Sequence, residues 1–244
     1  MLKSRLCIAF FAFAVGCAPA QKPLTDYVNP MLGTATLWDS VDLGFKPTKR
    51  TWGAEVFPGS SLPNAMVQVS PVTKFHSGAG YQYEDSVIYG FTHTNKGHWN
   101  LCHIPLLPVT GTPTPGDYCS PFSHERESAA PGYYQVFLDR YGVDAQLSST
   151  LRCAFHKYTY PAGAAASLLA DLQRSNEHVR AWDIRKEGDN VFAGWQQTGE
   201  KMYFYAVANR PVTGIEPVVE GDHEVRIVRF GEGDGALELR IGFS

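Results

Sequence analysis

The chain is short of charge, of paired cysteines and of helical pattern, and each shortage removes a class of protein. Charged residues make up 18% of the 244 positions and the formal net charge is −3, so there is no basic footprint for a nucleic acid backbone. Beyond the N-terminal leader only Cys102, Cys119 and Cys153 remain. An odd cysteine set without metal-finger spacing allows at most one bridge, with Cys102 and Cys119 as candidates, and excludes a disulfide scaffold. No stretch repeats apolar residues with helical period, which argues against a bundle. There is also no Gly-x-Ser-x-Gly elbow for a serine hydrolase and no Lys-Ser/Thr ending to the glycine-rich Gly78-Ala79-Gly80, which reads as a tight turn.

At the N-terminus Lys3 and Arg5 precede an apolar run from Leu6 to Val15 that is too short to span a bilayer permanently. Residues 1–20 therefore read as an export signal. Ala18-Pro19-Ala20 fits ordinary cleavage after Ala20, whereas Ala14-Val15-Gly16-Cys17 fits a bacterial lipoprotein box with Cys17 lipidated, and both readings stand. The mature protein is expected outside the cytoplasm: periplasmic, secreted or membrane-anchored.

What the chain does have is aromatic and turn-forming residues: 13% aromatics, 23 glycines and 16 prolines. That composition fits a turn-rich β-protein. From Tyr133 onward, runs such as Tyr133–Leu138, Val143–Leu151, Phe155–Tyr160, Ala165–Leu172, Val179–Arg185, Val191–Gln197, Met202–Ala208, Val225–Phe230 and Leu237–Phe243 alternate with turn signals. Several carry period-two alternation, which makes one buried and one wet face. The expectation is an all-β, antiparallel β-sandwich over residues 21–244, with Leu237, Leu239, Ile241 and Phe243 facing inward. Because an alternating apolar strand ends one residue before Ser244, the chain reads as truncated.

The densest polar segment runs from His93 to His103 between strand-like runs, as expected of a binding loop on a β-scaffold. Its histidines are spaced by five, which suits neither helical nor strand-borne zinc ligation, so no metal site is expected. Glu125 and Glu127, two apart on an assumed strand, fall near the carboxyl separation of inverting glycosidases, but Arg126 and His124 between and beside them argue for a charge-balanced strand. Cys102 beside His103 would point to the opposite strand face, which disfavours thiol catalysis. Trp38, Trp52 and Trp99 lie in polar, loop-like surroundings, while Trp182 and Trp195 sit in alternating runs and are expected in the core. Flat aromatic faces beside amides, imidazoles and carboxylates suit sugar rings. Candidate sugar-contacting residues are Trp52, Glu55, His93, Asn95, His98, Trp99 and Asn100; no catalytic residue is assigned.

Several motifs together resemble a known family: Asp26-Tyr27-Val28-Asn29-Pro30-Met31-Leu32-Gly33-Thr34, Phe57-Pro58-Gly59 with Pro63 to Pro71, Tyr89-Gly90-Phe91-Thr92-His93-Thr94, Phe122-Ser123-His124-Glu125 and Pro131-Gly132-Tyr133-Tyr134. In this order they look like glycoside hydrolase family 92, mostly bacterial, calcium-dependent exo-α-mannosidases that invert anomeric configuration. The resemblance implies an N-terminal sandwich packed on a C-terminal catalytic (α/α)6 barrel, which holds the general acid, the base and most calcium-linked groups. It implies mannose-containing glycans as substrate and the barrel as partner, with calcium in the intact enzyme and none expected in this chain alone. The segment from His93 to His103 departs from the family's commoner glycine-rich loop. A free-standing, lectin-like glycan-binding module is the alternative.

Overall fold

A computed structural model describes residues 22–36, 56–96, 99–233 and 235–244; the N-terminal segment read as an export signal, Trp38, Trp52, Glu55 and His98 lie outside them. Two antiparallel sheets face each other. The seven-stranded sheet runs, neighbour by neighbour, through Ser60–Ser61, Gln68–Val72, Gly90–Thr92, Leu106–Val109, Ser167–Ala170, His223–Phe230 and Val212–Glu220. The eight-stranded sheet runs through Ala181–Gly188, Val191–Gln197, Lys201–Ala208, Leu237–Phe243, Cys153–Thr159, Val143–Ser149, Tyr133–Leu138 and Glu127–Ala130. This is the all-β sandwich that the alternation in the sequence predicts. Two small ribbons flank it, Val87–Ile88 with Ser120–Pro121 and Asn95–Lys96 with Trp99–Asn100.

One continuous core fills the space between the sheets. Leu237, Leu239 and Ile241 are fully buried and Phe243 nearly so, and Val143, Ala145 and Leu147 do the same two strands away in the same sheet. Full burial of each large member of this set contributes roughly 1.5–3 kcal/mol before the entropy of ordering it. Gly59 shows why the Phe57-Pro58-Gly59 motif ends in glycine. A Cβ there would lie 1.9 Å from the carbonyl oxygen of Val69, so only hydrogen fits where the chain crosses that strand.

Two sequence expectations change. The strand Val212–Glu220 escapes the sequence pattern because Gly214 and Pro217 interrupt it. It forms an edge of the seven-stranded sheet, where a proline costs no ladder bond, and it carries a register shift between Val212 and Gly214. Trp195 does not enter the core. In Val191–Gln197 the buried side is occupied by Phe192, Gly194 and Gln196, which turns Trp195 outward, with the Lys201 ammonium 3.9 Å from its ring centre. Trp182 is half-buried and packs against the core edge.

Gln196 takes the inward position because its amide is fully used there. Oε1 accepts the Ile104 N–H at 2.8 Å, and Nε2 donates to the carbonyls of Leu172 and Arg174 at 2.9 Å each. A buried polar group with all its partners in place costs far less than an orphaned one. Among the described residues no helix is long and apolar enough to cross a membrane.

Candidate functional site

The polar segment from His93 to His103 turns much of its chemistry inward. His93 is fully buried; its Nδ1 lies 3.0 Å from the Ile104 carbonyl and its Nε2 3.1 Å from Nε2 of His156. Burial pushes the His93 ring down to about 3 and drives His156 well below the usual imidazole range. Asn100, 1% exposed, accepts the Cys102 N–H at 2.8 Å on its side-chain oxygen and donates to Thr92 Oγ1 at 3.2 Å. His103 is nearly buried, with Nδ1 2.8 Å from Thr94 Oγ1 and Nε2 3.1 Å from Thr198 Oγ1. Burial lowers its proton affinity, and the Glu177 carboxylate 3.3 Å away opposes that shift in part.

The backbone around His103 is strained. Cys102 and Ile104 both adopt left-handed φ angles, 52° and 53°, which side-chain-bearing residues avoid and β-branched ones most of all. Asn100 captures the first N–H and Gln196 the second, so two buried amides hold the conformation in place. Burial raises the Cys102 thiol and keeps it from acting as a thiolate nucleophile. Cys102, Cys119 and Cys153 are all free thiols.

The remaining described candidates sit on the small ribbon. Trp99 is 55% exposed, and Asn95 is half-buried with both side-chain polar atoms lacking a hydrogen-bond partner among the described residues. Thus His93 and Asn100 shape the loop from within, while Asn95 and Trp99 lie on the ribbon outside the core.

Beside this loop lies a cavity of about 790 Å³ that the sequence reading missed. Its wall is the segment 173–182, closed by His76 on one side and His223 on another. The wall is clamped. Asn176 accepts the His76 N–H at 2.6 Å and donates to the carbonyls of Ser77 and Asn100 at 3.2 and 2.6 Å. Ser175 Oγ donates to the Leu101 carbonyl at 2.7 Å. Arg174 lies with its guanidinium carbon 5.5–5.8 Å from the ring centres of Phe75, Tyr89 and Tyr118. The buried Asp171 behind the wall accepts from Tyr118 Oη at 2.6 Å and His223 Nε2 at 2.8 Å. The available signal was the run Gln173-Arg174-Ser175-Asn176-Glu177-His178, as polar as the segment that drew attention. Its closeness to His76 and His223 is set only by the folded chain.

The model of the glycosyl hydrolase family 92 N-terminal domain matches residues 27–244. The chain belongs to this family. In fold it is similar to the family GH92 α-mannosidase BT3965 from Bacteroides thetaiotaomicron, with a TM-score of 0.76 and 24% identity over 91% of this chain and 33% of that one. It is also similar to the family GH92 inverting mannosidase BT2199 from Bacteroides thetaiotaomicron VPI-5482, with a TM-score of 0.73 and 22% identity over 92% of this chain and 32% of the other. The chain spans about a third of the length of these structures. No curated protein sequence matches it.

Within the GH92 sandwich, the motif Phe122-Ser123-His124-Glu125 has a structural role. Residues His124–Arg126 form a 3-10 turn capped by Ser123, so Glu125 and Glu127 do not share a strand as the sequence reading assumed. Glu125 is exposed, whereas the Glu127 carboxylate is 2% exposed and accepts from Tyr81 Oη at 3.0 Å, Tyr134 Oη at 2.6 Å and His124 Nδ1 at 2.5 Å. The His124 ring stacks on Tyr83 and sets its Nε2 2.7 Å from the Tyr83 carbonyl. Burial and the nearby Glu127 carboxylate push the Tyr81 and Tyr134 hydroxyls well up. A carboxylate spent on three protein donors is a brace, not a general acid or base. Among the described residues no three His, Cys, Asp or Glu side chains converge as a metal cage.

Proposed function

We propose that this chain is the sandwich part of an exported, inverting α-mannosidase acting on mannose-rich glycans. The cavity walled by residues 173–182 forms its share of the substrate pocket, where a catalytic barrel docks. The observation that carries this reading is the family match across residues 27–244. The Glu127 carboxylate is taken up by three protein donors, which withdraws it from acid or base duty, and we assign the acid, the base and the calcium to the barrel, as the family resemblance implies. Trp99 on the small ribbon supplies an indole face for the sugar ring at the pocket mouth, with Asn95 on the same ribbon; Trp52, Glu55 and His98, the sequence candidates that would join them, lie outside the described residues. His93 and Asn100 act from beneath by holding the loop backbone.

The test is mannose release from α-mannosides, followed by NMR of the released anomer. The chain alone should release nothing, and the chain joined to a family barrel should release β-mannose in the presence of calcium. Release by the chain alone, or none by the joined protein when correctly folded, would sink the proposal. Tight binding of mannobiose by the chain, with no hydrolysis once the barrel is added, would favour a glycan-binding module instead.

A further inference from the structure

The lining of the 173–182 cavity has more hydrogen-bond donors than the domain itself uses. Arg180, His76 and His178 line it, and their side chains make no hydrogen bond or ion pair among the described residues. Arg174 contacts polar protein atoms only at the 3.5 Å limit, Tyr118 Oη and Asp171 Oδ2, so most of its planar fork is unspent. Acceptors are scarce by comparison. Glu177 is the carboxylate in the lining and already accepts from Thr198 Oγ1 at 2.6 Å, while Asp171 is shut behind the wall on Tyr118 and His223.

We infer that this corner binds an oxyanion, the phosphate or carboxylate of an acidic saccharide. Arginine is suited to such groups because its fork matches two of their oxygens, and the histidines add directed N–H groups around them. The corner is also prepared in advance. Three aromatic rings hold the Arg174 guanidinium, and His76 is kept at a left-handed φ of 61° by the bond from its N–H to Asn176. Groups already fixed lose little freedom when the ligand arrives. At about 790 Å³ the cavity is far larger than a bare ion, and the half-buried Trp182 in its lining offers a flat face for the ring that carries the charge. The saccharide half of this inference rests on the glycan reading proposed above; the oxyanion half does not.

The test uses the purified chain at constant ionic strength near neutral pH. Inorganic phosphate, mannose 6-phosphate, mannuronate and methyl α-mannoside are titrated separately by calorimetry and by NMR. Phosphate should bind saturably, and mannose 6-phosphate or mannuronate should bind more tightly than either phosphate or methyl α-mannoside. Arg180→Gln and His178→Gln change exposed, unpaired side chains and should fold normally. Each should weaken phosphate binding by about tenfold, as loss of one charge-assisted hydrogen bond does. Phosphate binding absent, or untouched by both substitutions, overturns the oxyanion site. Methyl α-mannoside binding without phosphate binding leaves the glycan reading standing and refutes this one. Phosphate binding that both substitutions weaken, with neither acidic sugar tighter than phosphate, removes the saccharide and keeps the corner.

Discussion

His93 and His156 meet nitrogen to nitrogen in the core, their Nε2 atoms 3.1 Å apart, with one ring beside each sheet. The hydrogen positions follow from their neighbours. The Ile104 carbonyl requires a proton on His93 Nδ1, so neutral His93 accepts at Nε2 and His156 must donate there. His156 Nδ1 then accepts from Tyr158 Oη at 2.5 Å. The chain of bonds closes with both rings neutral, and a further proton on His93 would set two donors against each other.

Stability should therefore fall on acidification. Both folded-state affinities lie below the ordinary imidazole value near 6.5, His93 at about 3, so the unfolded chain takes up protons that the folded one refuses. The contribution is complete above about pH 6.5 and is lost at roughly 1.4 kcal/mol per pH unit for each ring below it, in the case of His93 until pH approaches 3. Urea unfolding at pH 7.5, 6 and 5 should show the decline, and a His93→Gln, His156→Gln double variant should flatten it. Equal stability of the parent at pH 7.5 and 5 would refute the assignment.

Gln196→Leu should destabilise more than Trp195→Ala. The first orphans an N–H and two carbonyls inside the protein, at about 1–3 kcal/mol for each buried group, so a loss of about 3 kcal/mol or more is expected. The second removes an outward ring and a cation contact worth about 0.5–1 kcal/mol. Urea midpoints rank them, and the reverse order would mean that Trp195, not Gln196, anchors the strand.

Glu127→Gln should cost about 3–5 kcal/mol, since its new NH₂ would face hydroxyl and imidazole donors in a closed site. Glu125→Gln, on the exposed turn, should stay within about 0.5 kcal/mol. Thermal unfolding separates the two. Similar small losses at both positions would mean that Glu127 is not a structural brace.

Trp99→Ala should cost less folding stability than loss of a core aromatic, because the residue is 55% exposed. In an enzyme that includes the barrel it should lower kcat/KM by an amount worth about 1–3 kcal/mol, as loss of a stacked aromatic does. A change within about twofold at equal folded fraction, below roughly 0.5 kcal/mol, would remove Trp99 from the pocket mouth.

Strands whose alternation is plain were legible in the sequence: Tyr133–Leu138, Val191–Gln197 and Leu237–Phe243 form with the bounds their patterns give. Period two signals a face, however, and not which face is inside. Around Trp195 apolarity pointed the wrong way, because hydrogen bonds to two distant loops outweighed the transfer of an indole. Val212–Glu220 was illegible because an edge strand tolerates the very residues that disqualify a central one. The cavity was illegible because His76, Arg174 and His223 converge through tertiary contacts that no local pattern encodes.

One amide, on Gln196, bonds one strand to two separate loops. Neither loop can swing away alone without stranding a buried group, so they open only when the strand itself comes loose, a rare event on the scale of catalytic turnover. The wall that includes Arg174 is therefore no lid. A ligand meets it already in its final shape, and arrival and departure on this side are governed by encounter and by the strength of its contacts, not by the beat of a gate.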